Sequence, residues 1–151
     1  MMVTMAQRDH LDGLMGLEDL FDHGQRWSRA TWQGEFDHDD RHLLVALDGP
    51  GSAVVGAAVF RQSGDVVDLD RIAVAAGWRG RGLAREMVTA GVEWARRRGA
   101  ARLLLEVHRD NHPATSLYRS HGFRAVAQRD NYYGAGRHAS IMELELGKDG
   151  S

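Results

Sequence analysis

Apolar residues along this chain change their spacing several times, and each change marks an element. In "VTMAQRDHLDGLMGLEDLF" a short extended stretch gives way to Leu11, Leu14, Met15 and Leu17. Those positions recur at three- and four-residue intervals, the spacing of one helix face. A short strand and then a helix are predicted, with Asp9 as N-cap. "WSRATWQGEF" reads as a second short helix capped by Ser28. Three strand-like runs follow, "RHLLVAL", "AVVGAAVFRQ" and "VVDLDRIAV", separated by turn-rich "DGPGS" and "SGD". That rhythm predicts an antiparallel meander.

From Gly82 to about Arg98 the period returns to that of a helix, with Leu83, Met87, Gly91 and Trp94 on one stripe and Gly99 as the stop. "RLLLEV" is a short apolar run that suits a strand buried on both faces. Around "PATSLYRSHG" a helix of about ten residues is expected, with Asn111 or Asp110 capping and Pro113 in its first turn. "FRAVAQ" and "ASIMELEL" supply two last strands. The predicted order is βααβββαβαββ, an α/β chain with one mixed sheet flanked by helices. Residues 66 to 107 should form a parallel strand–helix–strand unit.

Composition narrows the possibilities. At 151 residues the chain is long enough to bury one proper core, and a single domain over residues 1–147 with a frayed tail at 148–151 is the expectation. The formal net charge of −2 gives no reason to expect nucleic acid or an anionic membrane as a partner. The first residues, "MMVTMAQRDHLDGL", lack the basic start and uninterrupted apolar segment of a signal peptide, so cytoplasmic residence is expected. There is no cysteine, which removes disulfides, thiolate metal sites and a cysteine nucleophile together. Lys148 is the only lysine. Eight histidines form no H-E-x-x-H or other compact ligand spacing, so no metal is expected. "FDHDDRH" reads as a solvated loop, and the basic "ARRRG" complements a helix C-terminus.

The stretch "RGRGLA", residues 79–84, lies between the run "LDRIAV" and the long helix. A glycine-rich turn at a helix start gathers backbone N–H groups that have no intrahelical partner. With the positive end of the helix dipole they favour an anion, above all a phosphate. Arg79 and Arg81 would add mobile positive charge; a tight turn with solvated arginines is the plainer alternative. No G-x-x-x-x-G-K-[ST] is present, and "GRGLAR" does not complete G-x-G-x-x-G.

"IAV" followed by "RGRGLAR" resembles the acyl-CoA motif of the GNAT acetyltransferases, R/Q-x-x-G-x-G/A, with Arg79, Gly82 and Ala84 at its fixed positions. The likeness continues through "LEVHRDNHPATSLYRSHGF", where Asn111, Tyr118, Gly122 and Phe123 fall at the family's places, and through "RDNYYG". That tail and "RWSRATW" are similar to the branch that acetylates the N-terminal alanine of a ribosomal protein. The resemblance implies a GNAT fold, with a central six- to seven-stranded mixed sheet and about four helices. It also implies acetyl-CoA as co-substrate. Gly80, Arg81, Gly82, Leu83, Ala84 and Arg85 would cradle its pyrophosphate beside Arg79, and Ile72, Ala73 and Val74 would line the pantetheine arm. A splay between Ala73 and "LEV" would admit that arm, and a backbone N–H near Val74 would polarise the thioester carbonyl.

Amide formation from a thioester needs a neutral amine, a polarised carbonyl and a proton for the departing thiolate. An α-amine, with a pKa of about 7.7–8.0 against roughly 10.4 for lysine, deprotonates with less help. Glu106 interrupts the apolar "RLLLEV", where burial would make it a better base; it could equally point to an edge or pair with an arginine. Tyr118 could pack on an apolar helix face. The resemblance implies Glu106 as proton acceptor, Tyr118 as the acid that protonates the leaving thiolate, and Asn111 as a cofactor contact as well as a cap. It places Trp27, Tyr132 and Tyr133 near the acceptor, although Trp27 also suits a core anchor. Two positions depart from the branch: Arg26 stands for its proline before Trp27, and His108 for its arginine after "LEV".

The expected acceptor is a protein N-terminus. A small amine such as a polyamine, an aminoglycoside or an amino acid is the nearest alternative, which acidic "EFDHDD" would attract. A non-catalytic acyl-CoA sensor is a third, against which the Glu106 and Tyr118 pair counts. A monomer or homodimer is expected.

Overall fold

The hydrophobic rhythm is realised almost element for element. A computed structural model describes residues 1–49 and 53–147. The chain runs β1 (Met2–Met5), α1 (Leu11–Gly16), α2 (Arg29–Glu35), β2 (Arg41–Leu47), β3 (Val54–Ser63), β4 (Val66–Val74) and α3 (Leu83–Arg97). It continues through β5 (Arg102–His108), α4 (His112–Ser120), β6 (Arg124–Arg129) and β7 (Ala139–Glu145). The expected tail at 148–151 and the Pro50–Ser52 part of "DGPGS" lie outside the described residues.

The strands form one seven-stranded sheet in the order β1-β2-β3-β4-β5-β7-β6. It is mixed: β1 and β2, and β2 and β3, pair antiparallel, whereas β4 and β5 run parallel from Val66 opposite Arg102 to Leu69 opposite Leu105. β7 enters between β5 and β6, antiparallel to both. No helix among the described residues is long and apolar enough to cross a membrane.

By internal contacts the chain divides into two compact units. The first takes residues 1–61 and 70–91. Its core gathers Leu14, Leu17, Trp32, Leu43, Val45, Leu47, Ala57 and Val59. Ser28 caps α2 as expected, its side chain accepting from the Thr31 N–H. Asp9 does not cap α1. It lies inside a 3-10 turn, Arg8–His10, where the Gln7 N–H donates to His10 Nδ1 at 2.9 Å. This preceding turn leads directly into α1 and removes the need for a side-chain cap.

Glu18 and Arg71 are buried in this unit, 5% and 7% exposed. They form an ion pair through Arg71 Nη2 and Glu18 Oε1, with Arg71 Nε 3.3 Å from Oε2. The same carboxylate accepts from the Trp27 N–H at 2.6 Å and from Trp32 Nε1 at 2.9 Å. The guanidinium carbon lies 3.7 Å from the centre of the Phe21 ring and 4.5 Å from that of Trp27. Every strong donor around the buried carboxylate thus has a purpose, which is what a charge removed from water requires.

The second unit takes residues 62–69 and those from Val92 onward. Leu103, Leu105 and Val107 of β5 are buried, as are Ala139, Met142 and Leu144 of β7. Arg102 and Glu106, at the intervening positions, are exposed. β5 therefore does not bury both faces as the run "RLLLEV" suggested. The alternation has period two, but Leu104 hides it by placing an apolar residue on the more open face.

Gly91 shows why α3 carries a glycine on its apolar stripe. A Cβ there would meet the ring of Phe60 at 2.0 Å, and that ring is fully buried. Gly91→Ala gains up to about 1 kcal/mol of helix propensity but overpacks the core at a cost of about 1–3 kcal/mol. Chemical denaturation should show a net loss of stability.

Candidate active site

On the first unit, β4 hands over to α3 through residues 75–82. The Ala75 N–H donates to Val55 O at 2.8 Å, a 3-10 turn follows at Ala76–Trp78, and α3 begins at Leu83. Gly80 and Gly82 have φ of +78° and +81°, the left-handed region that costs other residues strain. A Cβ at either glycine would meet no protein atom within 4 Å. Backbone conformation, not crowding, demands glycine at both. Buried Leu83 anchors the start of α3, where the first N–H groups of the helix have no intrahelical partner.

Arg79 is not the mobile charge expected: its Nε donates to Val74 O at 2.9 Å and closes the turn back onto β4. The guanidinium of Arg81 lies 4.7 Å from the centre of the Trp78 ring. Arg85 is exposed and Ala84 half-buried on the first turn of α3, while Ile72 and Ala73 are half-buried and Val74 buried at the end of β4. Orphan N–H groups, two left-handed glycines and three arginines form a donor set that fits an extended polyphosphate.

Trp27 belongs to the first unit too. It packs against the core cluster, meets Trp32 edge-on with ring centres 4.8 Å apart, and stays half-buried. Arg26, in the place of the branch's proline, donates through Nε to Phe21 O at 3.0 Å.

The second unit brings together Glu106, Tyr118, Tyr132 and Tyr133. Glu106 is exposed on β5 rather than desolvated. It accepts from Arg129 Nη1 at 2.7 Å. The hydroxyl of Tyr132 is held above its ordinary pKa, first by its hydrogen bond to Glu106 and then by burial and the carboxylate's charge. Arg129 is likewise raised, first by its hydrogen bond to Glu106 and next by that residue's charge. Its guanidinium carbon also stands 4.3 Å from the centre of the Tyr132 ring.

Tyr132 meets Tyr133 edge-on at 4.9 Å. Tyr133 stacks on His108 with ring centres 4.4 Å apart and planes 11° from parallel. These aromatics sit in a turn pinned at Asn131, which adopts φ +56° and accepts from the Gly136 N–H through Oδ1. Its own N–H donates to His138 Nδ1 at 3.0 Å.

Tyr118, on α4, is 4% exposed. Burial, followed by the neighbouring Tyr133, pushes its hydroxyl well above the usual tyrosine value, so it is a protonated donor throughout the neutral range. Asn111 caps α4, accepting from the Ala114 N–H at 3.2 Å, and settles the choice between it and Asp110.

Three partners escaped the sequence reading: Glu18, Arg71 and Arg129. For Arg129 a signal exists in its spacing, since it ends β6 three residues before Tyr132. Among the described residues no group of three or more His, Cys, Asp or Glu could hold a metal. In "EFDHDD", Glu35 and Asp40 both engage Arg41 and Asp37 engages Arg8, so much of that acidic charge is answered internally.

The model of the Acetyltransferase (GNAT) family matches residues 8–123. A ribosomal protein bS18-alanine N-acetyltransferase of Escherichia coli is 32% identical over 111 residues, 74% of this chain and 73% of the relative. A streptothricin acetyltransferase of Streptomyces lavendulae is 34% identical over 119 residues, 74% of this chain but 61% of the relative. Among solved structures, the ribosomal-protein-S18-alanine N-acetyltransferase from Escherichia coli superposes with a TM-score of 0.83 at 25% identity, covering 99% of this chain and 96% of that one.

Two outcomes follow from the geometry. Gly80→Ala and Gly82→Ala should each lose about 1–2 kcal/mol of stability from left-handed strain alone, measured by urea unfolding. Tyr118 has a raised native pKa, so its contribution is complete below an unfolded value of about 10 and is lost as pH rises beyond it. Tyr118→Phe should therefore flatten the fall in stability as pH rises above about 10, read by the same unfolding at each pH.

Proposed function

Because this chain belongs to the GNAT family of acetyltransferases, we propose that it transfers acetyl from acetyl-CoA to the N-terminal α-amine of a protein, of the ribosomal-protein alanine kind. The observation that carries this reading is the Glu106, Tyr118, Tyr132 and Tyr133 cluster, in a chain 32% identical to an enzyme named for that alanine. Acetyl-CoA supplies an activated thioester carbonyl and a thiolate leaving group. Gly80 to Arg85, with Arg79 closing the turn, bind its pyrophosphate, and Ile72 to Val74 run beside its pantetheine arm. Asn111 contacts the cofactor while capping α4.

The amine nitrogen attacks the carbonyl carbon, the C–N bond forms and the C–S bond breaks. Glu106 accepts the proton that the nitrogen sheds, directly or through water. Tyr118 gives its proton to the thiolate, which its raised pKa keeps available at neutral pH. Tyr132 and Tyr133 orient the acceptor beside Glu106, and Trp27 also serves acceptor binding. Residence in the cytoplasm, where ribosomal proteins are made, and action as a single domain belong to this reading.

A small-molecule amine is the second reading, favoured by the 34% identity to a streptothricin acetyltransferase. An Ala-starting peptide and an amine panel, each assayed by coenzyme A release, separate the two. Turnover with the preferred acceptor should fall about 10²–10⁴-fold in Glu106→Gln and in Tyr118→Phe. Unchanged rates in both variants would remove these roles.

A further inference from the structure

Arg129 and Glu106 belong to different strands that do not touch each other. Both flank β7: His108 of β5 and Arg129 of β6 lie opposite Ala139 from either side, and Glu106 and Ala127 lie opposite Ile141. Residues directly opposite share a face of a sheet, so Glu106 and Arg129 project from the same one. Two strand spacings across and two residues along the sheet separate them, roughly 11–12 Å. The long arginine side chain spans that gap to within 2.7 Å of the carboxylate.

The contact is placed where an acceptor amine has to arrive. Side-chain exposure is 51% for Arg129 and 31% for Glu106, so solvent and an incoming cation reach both. An ion pair this exposed is worth little to folding. Its larger effect is on charge: Glu106 meets the acceptor already neutralised. Other charged or titratable groups in the cluster include His108 from β5, Tyr118 from α4, and Asp130, Tyr132, Tyr133, Arg137 and His138 from the segment between β6 and β7. Asp130 is turned to Gln128 and lies 3.6 Å from His138, Arg137 donates to the Tyr133 carbonyl at 3.2 Å, and Arg129 is in direct contact with Glu106.

We propose that Arg129 determines acceptor specificity as a charge filter, admitting amines that are neutral near pH 7–8 and rejecting those that stay cationic. An α-amine loses its proton near pH 8, so it reaches Glu106 uncharged at little cost. A lysine side chain or a polyamine stays protonated to about pH 10. It must either displace the guanidinium or sit beside it, and like charges at that range repel. The inference rests on Glu106 receiving the amine, as in the proposed function, and adds which amines it receives.

The test compares wild type, Arg129→Gln, Arg129→Lys and the double variant Arg129→Gln/Glu106→Gln, in binding and in turnover. Titration calorimetry with putrescine as the probe should show Arg129→Gln binding roughly five- to tenfold tighter than wild type. Arg129→Lys should bind as weakly as wild type, and the double variant should lose the gain. In turnover, Arg129→Gln should shift the ratio of polyamine to Ala-peptide kcat/KM toward the polyamine by about tenfold. It should also move the acid limb of kcat for the peptide to higher pH, because the bound ammonium is no longer repelled; Arg129→Lys should restore both. Equal putrescine affinity in all four proteins would overturn the filter. Should wild type fail to acetylate the Ala peptide, the acceptor assignment falls, and the putrescine titration still decides the role of Arg129.

Discussion

The buried ion pair between Glu18 and Arg71 is the contact that the first unit is arranged around. A guanidinium or a carboxylate taken from water alone costs several kcal/mol, so neither residue can be buried without the other. Glu18 spends its remaining acceptor capacity on the Trp27 backbone and the Trp32 indole. Arg71 fills the space between Phe21 and Trp27 with its planar face. One carboxylate thereby fastens the segment between α1 and α2 to β4. Arg71 immediately precedes Ile72, so the same anchor fixes the strand whose end leads into the glycine turn.

That turn depends on a second short-range tie. β4 ends at Val74, and the carbonyl of Val74 receives Arg79 Nε, folding the connection back on its own strand. The motif arginine is a structural staple here before it is a charge. Two left-handed glycines then let the chain turn into α3. The shape of the turn arises from backbone geometry, and the side chains hold that geometry in place.

The cluster of Glu106, Tyr118, Tyr132 and Tyr133 is built on a different logic. Tyr118 is buried and its hydroxyl stays protonated; Glu106 is exposed and tied to Arg129 and Tyr132. The two groups thus stand in opposite environments, one buried and protonated, the other exposed and paired. His108, a departure from the related branch, is absorbed by stacking on Tyr133, so the substitution becomes part of the aromatic wall.

Local pattern alone determined the element order, the Ser28 cap, the glycine stop at Gly99 and the glycine-rich entry to α3, and it narrowed the α4 cap to Asn111 or Asp110. Each depends on residues within one turn or a few positions, where periodicity and capping chemistry act directly. Motif likeness in "RGRGLAR" and "RDNYYG" carried the family. Tertiary structure decided what depends on distant partners. β7 lies between β5 and β6, and only that order brings Arg129 to Glu106 across twenty-three residues of sequence. The two-faced burial expected of "RLLLEV" failed because Leu104 is apolar on a partly open face. Asp9 lost its capping role to a 3-10 turn, and the Glu18–Arg71 pair, fifty-three residues apart, left no local trace. Charge pairing at long range has no period to read; it is settled only when the sheet sets which side chains share a face.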